Sequence, residues 1–180
     1  MIEQTKKNYK KPELVSPAGS LDKLKAAIEY GADAVYAGGK DFNLRNSAAN
    51  FSLDEIRAAV EYVHERGKKL YITLNIFAHN CHINKAEQYL KELSEHAVDA
   101  FIVSDPGVLS LVKEIIPEAN IHISTQANCT NTKAADFWHS QGVKRVVLAR
   151  ELSLNEVAEV SSNSNCTTEV FVQGAMCLSY

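Results

Sequence analysis

The sequence predicts an α/β fold, a (β/α)8 TIM-type barrel carried through about seven strands. Two observations lead there. A short β-rich run, a turn and a helix-period segment recur along the chain, with strand centres about 21 to 37 residues apart. No GxGxxG follows the first strand, which weighs against a dinucleotide-binding doubly wound sheet and leaves the open α/β sheet as the alternative. Successive βα units of this kind require a parallel sheet with helical crossovers.

Residues 1–11 are polar and lysine-rich and read as a solvated tail, so the barrel domain spans residues 12–180. Glu13 to Ser16 forms the first strand, and Ser20 caps a helix striped by Leu21, Leu24 and Ile28 and stopped at Gly31. Ala34 to Ala37 is the second strand. A longer loop through Phe42, Arg45 and Asn50 leads to Ser52 and Glu55, a capping box before the stripe Leu53, Ile56, Val60 and Val63. Leu70 to Leu74 is the third strand, Asn75 to Ile83 a loop, and Ala86, Tyr89, Leu90 and Leu93 stripe the next helix. Ala100 to Ser104 is followed by Asp105-Pro106, an N-cap with proline at the first helical position. Ile121 to Thr125 and Arg145 to Ala149 are strands five and six, separated by a helix over Lys133 to Gln141. Ser153 and Glu156 make another capping box, and Glu169 to Gln173 is strand seven.

Hydrophobic content of 46% and charged content of 23% are those of a globular protein, and the net charge of -3 excludes a uniformly basic surface. The four cysteines, Cys81, Cys129, Cys166 and Cys177, lie 48, 37 and 11 residues apart without a CxxC pair. Reduced thiols in a cytoplasmic protein are expected. No apolar run is long enough to span a bilayer, and the N-terminal stretch has no signal-peptide core.

A barrel of this type carries its site where the strands end. Asn75, with His79 nearby, leaves the third strand, and Asp105 leaves the fourth. Gln126 and Asn128 leave the fifth, Arg150 and Glu151 the sixth, and Gln173, Gly174 and Cys177 the seventh. The rim is therefore polar and suits an anionic substrate. Asp105 also reads as a helix cap, and Gln126 and Asn128 as loop-satisfying amides. Arg150 and Glu151 could form a surface pair of little worth, but two charges at a strand exit favour a functional role. His79 and His82 lack metal-site spacing, and the remaining histidines read as core or surface residues. The serines at helix starts are caps, and no GxSxG is present.

Several blocks carry a resemblance: PELVSPAGS (Pro12 to Ser20), YGADAVYAGG (Tyr30 to Gly39), NLRNSAANF (Asn43 to Phe51), SDPGVL (Ser104 to Leu109), STQAN (Ser124 to Asn128) and RVVLARELSL (Arg145 to Leu154). Glu169, Phe171, Gly174, Ala175, Met176 and Cys177 follow the order E-x-F-x-x-G-[SA]-[LIVM]-C. The segment Pro12 to Tyr180 thus resembles the collagenase-like peptidases, U-type family thirty-two. The members it most resembles act in prephenate-dependent, oxygen-independent hydroxylation of the tRNA wobble uridine. The resemblance implies a four-iron four-sulfur cluster with Cys177 as its first ligand, the other ligands falling beyond Tyr180. It also implies tRNA and a small anionic metabolite, possible co-substrate prephenate, as partners. Arg150, Glu151 and Glu169 become candidate catalytic residues, and Arg45, Asn75, Asp105, Gln126 and Asn128 candidate substrate-binding residues. Gln173 departs from the histidine many relatives carry, and an amide cannot gain charge near neutral pH. The family name keeps a peptidase as one alternative, and a non-catalytic RNA-binding module is another.

A barrel lacking its eighth strand leaves the first and seventh strands with unpaired edges. This 180-residue chain is accordingly expected to be poorly stable or to self-associate. A sharp monomeric melting transition that does not move with protein concentration would contradict that.

Overall fold

The computed structural model describes residues 11–39, 50–76 and 78–174. Within them, seven strands form one parallel sheet in the order in which they occur: β1 (Val15–Pro17), β2 (Ala34–Gly38), β3 (Lys69–Leu74), β4 (Ala100–Val103), β5 (Ile121–Ile123), β6 (Arg145–Val147) and β7 (Thr167–Glu169). Helices α1 (Leu21–Glu29), α2 (Leu53–His64), α3 (Asn80–Leu93), α4 (Pro106–Ile115), α5 (Thr132–Ser140) and α6 (Leu154–Asn163) lie between them. A doubly wound sheet would reverse its strand order at a switch point, and this one never does.

The sheet is also curled. Arg145 begins β6, yet its Nη1 lies 2.9 Å from Oε1 of Glu13, just ahead of β1. Five flat inter-strand steps would separate those strands by about 24 Å. The rings of Tyr71 on β3 and His122 on β5 likewise meet edge to face, with centroids 4.8 Å apart. Inward side chains from distant strands therefore converge, as in a barrel.

Strand alternation divides the buried residues into two layers. Outward residues (Val35, Leu70, Ile72, Phe101, Ile123, Val146) pack on the helices through Leu24, Ile56, Leu90, Val112, Ala135 and Val160. Complete burial of a large aliphatic side chain stabilises by about 1.5–3 kcal/mol, so this layer supplies most of the apolar driving force. The inward layer is small: Ala34, Tyr71, Ala100 and Ile102, with Val15 and Tyr36 against them. Below it lies a charged group. Arg145 Nη1 donates to Glu13 and, at 3.0 Å, to Glu169. Lys69 Nζ reaches Glu13 at 2.8 Å and Tyr71 Oη donates to it at 2.6 Å.

The helix starts follow the caps. Ser52 with Glu55 and Ser153 with Glu156 close complete capping boxes, and Asp105 accepts from Val108 N–H at 3.0 Å with Pro106 behind it. Gly67 ends α2 with φ +63, a backbone that side chains disfavour.

Two elements differ from expectation. Helix α3 begins at Asn80, inside the predicted loop, because the His82 ring accepts from His79 N–H at 3.1 Å and closes the first turn without any apolar residue. Strand β7 is Thr167–Glu169 and not Glu169 to Gln173. Its register on β6 pairs Arg145 with Thr167 and Val147 with Glu169, so the ladder is spent before the apolar run begins. Val172 in that run is 87% exposed. Thr167 and Thr168 occupy the strand, Thr168 sharing a 2.6 Å hydrogen bond with Ser161 of α6. The Arg45 loop, residues 1–10 of the tail and Cys177 lie outside the described residues.

The interior group makes the fold acid-sensitive in two windows. Burial, with Arg145 adding to it, holds the His122 imidazole near a pKa of about 3, so its contribution falls away as pH drops from about 6.5 towards 3. Burial opposes Glu13 ionisation, but bonds from Lys69, Tyr71 and Arg145 outweigh it and hold Glu13 at about 2. Its contribution is present above about 4.5 and lost towards 2. Burial raises Glu169 against the pull of Arg145, which gives a smaller change of opposite sign. His122→Gln is expected to flatten the fall in melting temperature between about pH 6.5 and 4.5, and Glu13→Gln to cost about 1–3 kcal/mol at neutral pH. An unchanged pH profile in His122→Gln would contradict the assignment.

Candidate functional site

The strand ends form a polar mouth. Above the inward Tyr71 and Ile102, the same faces of β3 and β4 continue to Thr73 and Asn75 and to Ser104, and His122 of β5 continues to Ser124. Two of these groups are spent internally: Thr73 Oγ1 donates to Ala37 C=O at 3.2 Å, and Ser124 Oγ donates to Gln126 Oε1 at 3.2 Å. Asn75 Oδ1, Ser104 Oγ and Arg150 Nε are buried without a hydrogen-bond partner among the described residues. Buried polar atoms are nearly always satisfied, so three exceptions at one mouth are informative.

Arg150 follows β6. Its guanidinium lies over the Phe171 ring, 3.9 Å from the centroid, an attraction between cation and ring face that also fixes the guanidinium plane. Gly174, with φ +145, passes beside it in a backbone that favours glycine, and a Cβ there would be in ordinary contact, 3.7 Å from Arg150 Nη2. No carboxylate among the described residues pairs with Arg150. A half-buried guanidinium clamped on an aromatic ring and, among the described residues, lacking a counter-ion can take an anion by charge-assisted hydrogen bonds.

The remaining predicted residues are dispersed in role. Glu151 is exposed and makes no hydrogen bond or ion pair among the described residues, so the alternative of a surface pair with Arg150 does not form. Glu169 is held by Arg145 in the interior group. The Asp105 carboxylate caps α4. Gln126 sits in a 3-10 turn (Thr125–Ala127) tied to β6 by Thr125 Oγ1, which donates to Leu148 C=O at 3.2 Å. Asn128 ends that turn in left-handed backbone, φ 50, and is exposed. Sequence reasoning names neither Ser104 nor Phe171 as a site residue, Phe171 entering only as a motif position. Ser104 reads there as the last residue of a strand and Phe171 as part of an apolar run, although the parity of β4 places Ser104 on the inward face.

The described cysteines do not suit a metal cluster. Cys81 is exposed, whereas Cys129 and Cys166 are buried on the helix side of the sheet. Burial raises both buried thiols, Cys166 to about 11. Among the described residues no group of His, Cys, Asp and Glu could hold a metal ion, and no helix is long and apolar enough to cross a membrane.

The model of peptidase family U32 matches residues 19–180. The chain belongs to that family. Among its U32 relatives, tRNA hydroxylation protein P1 of Bacillus subtilis is 46% identical over 171 residues, covering 95% of this chain and 40% of that protein. Escherichia coli tRNA hydroxylation protein P is 43% identical over 171 residues, covering 94% of this chain and 38% of that protein. The 23S rRNA 5-hydroxycytidine C2501 synthase of Escherichia coli is 38% identical, covering 93% and 25%. The chain thus spans about two fifths of the length of the first two of these relatives. A solved U32 peptidase structure superimposes with a TM-score of 0.72 at 17% identity, covering 93% of this chain and 71% of that one. A putative glycerophosphodiester phosphodiesterase from Galdieria sulphuraria follows the same path at a TM-score of 0.62 and 10% identity, covering 89% and 84%. Both confirm a barrel-type fold.

If the Asp105 carboxylate serves the fold as a cap, Asp105→Asn should keep the wild-type melting temperature, because asparagine caps equally well, while Asp105→Ala should lose about 1 kcal/mol. A loss with asparagine as large as with alanine would show that the charge has another task.

Proposed function

We propose that this chain belongs to an enzyme that hydroxylates the tRNA wobble uridine without oxygen, in the cytoplasm, with prephenate as the anionic co-substrate. What supports the reading is the names of its U32 relatives together with one structural observation: the half-buried guanidinium of Arg150, stacked on Phe171 and facing no carboxylate among the described residues. Arg150 binds a carboxylate of the co-substrate, and Phe171 holds the guanidinium in plane. Arg45 would add a second cation, and Gln126 and Glu151 line the mouth. An iron–sulfur cluster with Cys177 as one ligand belongs to the same proposal. It stands on the sequence motif and on no group of described residues, so no chemical step is assigned to it. Iron and sulfide analysis of protein purified without oxygen tests it, and colourless, iron-free protein would overturn it.

The peptidase reading rests on the family name and on relatives such as an uncharacterized protease of Methanocaldococcus jannaschii, 41% identical over 171 residues. Among the described residues no serine or cysteine is hydrogen-bonded to a histidine, as an activated nucleophile requires.

Deleting the gene should abolish wobble-uridine hydroxylation, measured by mass spectrometry of digested tRNA. Wild-type protein should restore it, and Arg150→Ala should restore at most about a tenth, as expected for losing one charge-assisted bond. Unchanged hydroxylation in the deletion strain, or gelatin cleavage by the purified chain, would overturn the proposal.

A further inference from the structure

The outer wall opens between two helices. α4 packs on α3 and α5 on α6, and the two pairs part between α4 and α5. Leu109, Ser110 and Lys113 from α4 line the cleft left there, facing Phe137, Trp138 and Gln141 from α5 and its C-cap. Pro106, directly after the Asp105 cap, closes its upper end, so the cleft begins beside the mouth. Its volume is about 200 Å³. Sites that enclose a whole small molecule run to roughly 300–1,000 Å³, so this one suits a single ring of a larger partner.

The lining describes that partner. Phe137 is 56% exposed and meets Trp138 edge to face, with ring centroids 5.2 Å apart, so both rings are held in place at the surface. Lys113 donates to Gln141 C=O at 3.1 Å and enters no ion pair among the described residues, which leaves N–H groups of its ammonium to spare. Lys133, exposed and likewise without an ion pair among the described residues, stands one turn above Phe137 on the same face of α5. No carboxylate is among the lining residues. An apolar partner would cover Lys113 without supplying a counter-charge. A second copy docked about a two-fold axis would bring the same lysines together. An unstacked base with its phosphates satisfies both requirements, because the base stacks on the rings and the phosphates meet the lysines. The net charge of -3 leaves no uniformly basic surface, so an RNA contact has to be local, as this one is.

We propose that the α4–α5 cleft holds an unstacked base of the RNA substrate, outside the mouth, with Phe137 and Trp138 as the stacking surface and Lys113 and Lys133 on the flanking phosphates. The inference rests on the RNA-hydroxylating reading and adds where the RNA is held.

Trp138 is the only tryptophan of the chain, so its fluorescence reports the cleft directly. The chain is titrated with unmodified tRNA, with a single-stranded oligoribonucleotide and with the same oligonucleotide in a duplex, whose bases stay stacked. The tRNA and the single strand should quench Trp138, and the duplex should not. Phe137→Ala should weaken single-strand binding about tenfold, whereas Phe137→Tyr, which keeps the ring, should bind as wild type. Lys113→Gln should flatten the slope of log affinity against log salt by about 0.7. Binding of tRNA that leaves Trp138 emission and the Phe137→Ala affinity unchanged, or equal quenching by the duplex, overturns the cleft while the RNA reading stands. Trp138 emission that shifts with protein concentration before RNA is added assigns the cleft to a second copy and overturns it too. Binding of neither tRNA nor oligonucleotide overturns the RNA reading along with the cleft.

Discussion

One nitrogen atom holds the interior together. Nη1 of Arg145 lies 2.9 Å from Glu13, ahead of the first strand, and 3.0 Å from Glu169, on the last. The two edges of the sheet are thereby tied to a single donor on β6. Buried ion pairs contribute little net stability, because desolvation offsets most of the Coulombic gain. What this group supplies is geometry. It sets the β6–β7 register and draws the segment before β1 across the interior, where Lys69 and Tyr71 take up the remaining capacity of Glu13. The apolar layer under the helices would be satisfied by any α/β sheet; the charged group requires a curled one.

That curl creates the mouth. Once seven parallel strands are wrapped in sequence order, the residue after each strand faces the same opening. The lower and upper ends of the interior then differ in kind. The carboxylates and cations of the lower end satisfy one another, whereas the upper end keeps three polar atoms without partners among the described residues, with His122 Nδ1 a fourth between the two ends. Groups that serve only the fold are expected to resemble the lower end. The contrast within one molecule is a better guide to function than composition, since both ends are rich in polar residues.

Much of this was legible in the sequence wherever local chemistry decides the outcome. Ser52 with Glu55, Ser153 with Glu156 and Asp105 with Pro106 announced their helices because the bonds involved span three residues. The position of β7 is not legible locally, because it depends on Arg145, 24 residues from Glu169 along the chain, and on the ladder that pairing sets. The apolar run Val170 to Val172 looked like a strand but only follows one. The rim was legible as a set of strand exits, yet which exits stay unsatisfied was not. Gln126 and Asn75 are both amides after a strand. Among the described residues only Gln126 has a hydroxyl, that of Ser124, donating to its oxygen.

The two arginines of this region make the same point in a sharper form. Arg145 and Arg150 are five residues apart on one stretch of chain, and both are largely withdrawn from water. Arg145 has two carboxylates, so its charge is fully employed by the fold. Arg150 has an aromatic face and, among the described residues, no carboxylate. Phe171 attracts the cation and fixes its plane but accepts no hydrogen bond in that plane, so the guanidinium edge remains available. Withdrawing a cation from water is costly where, as here among the described residues, no counter-ion meets it. The placement becomes reasonable once an anion shares the site. Two residues of the family motif flank that site: Phe171 lies beneath the guanidinium and Gly174 passes beside it.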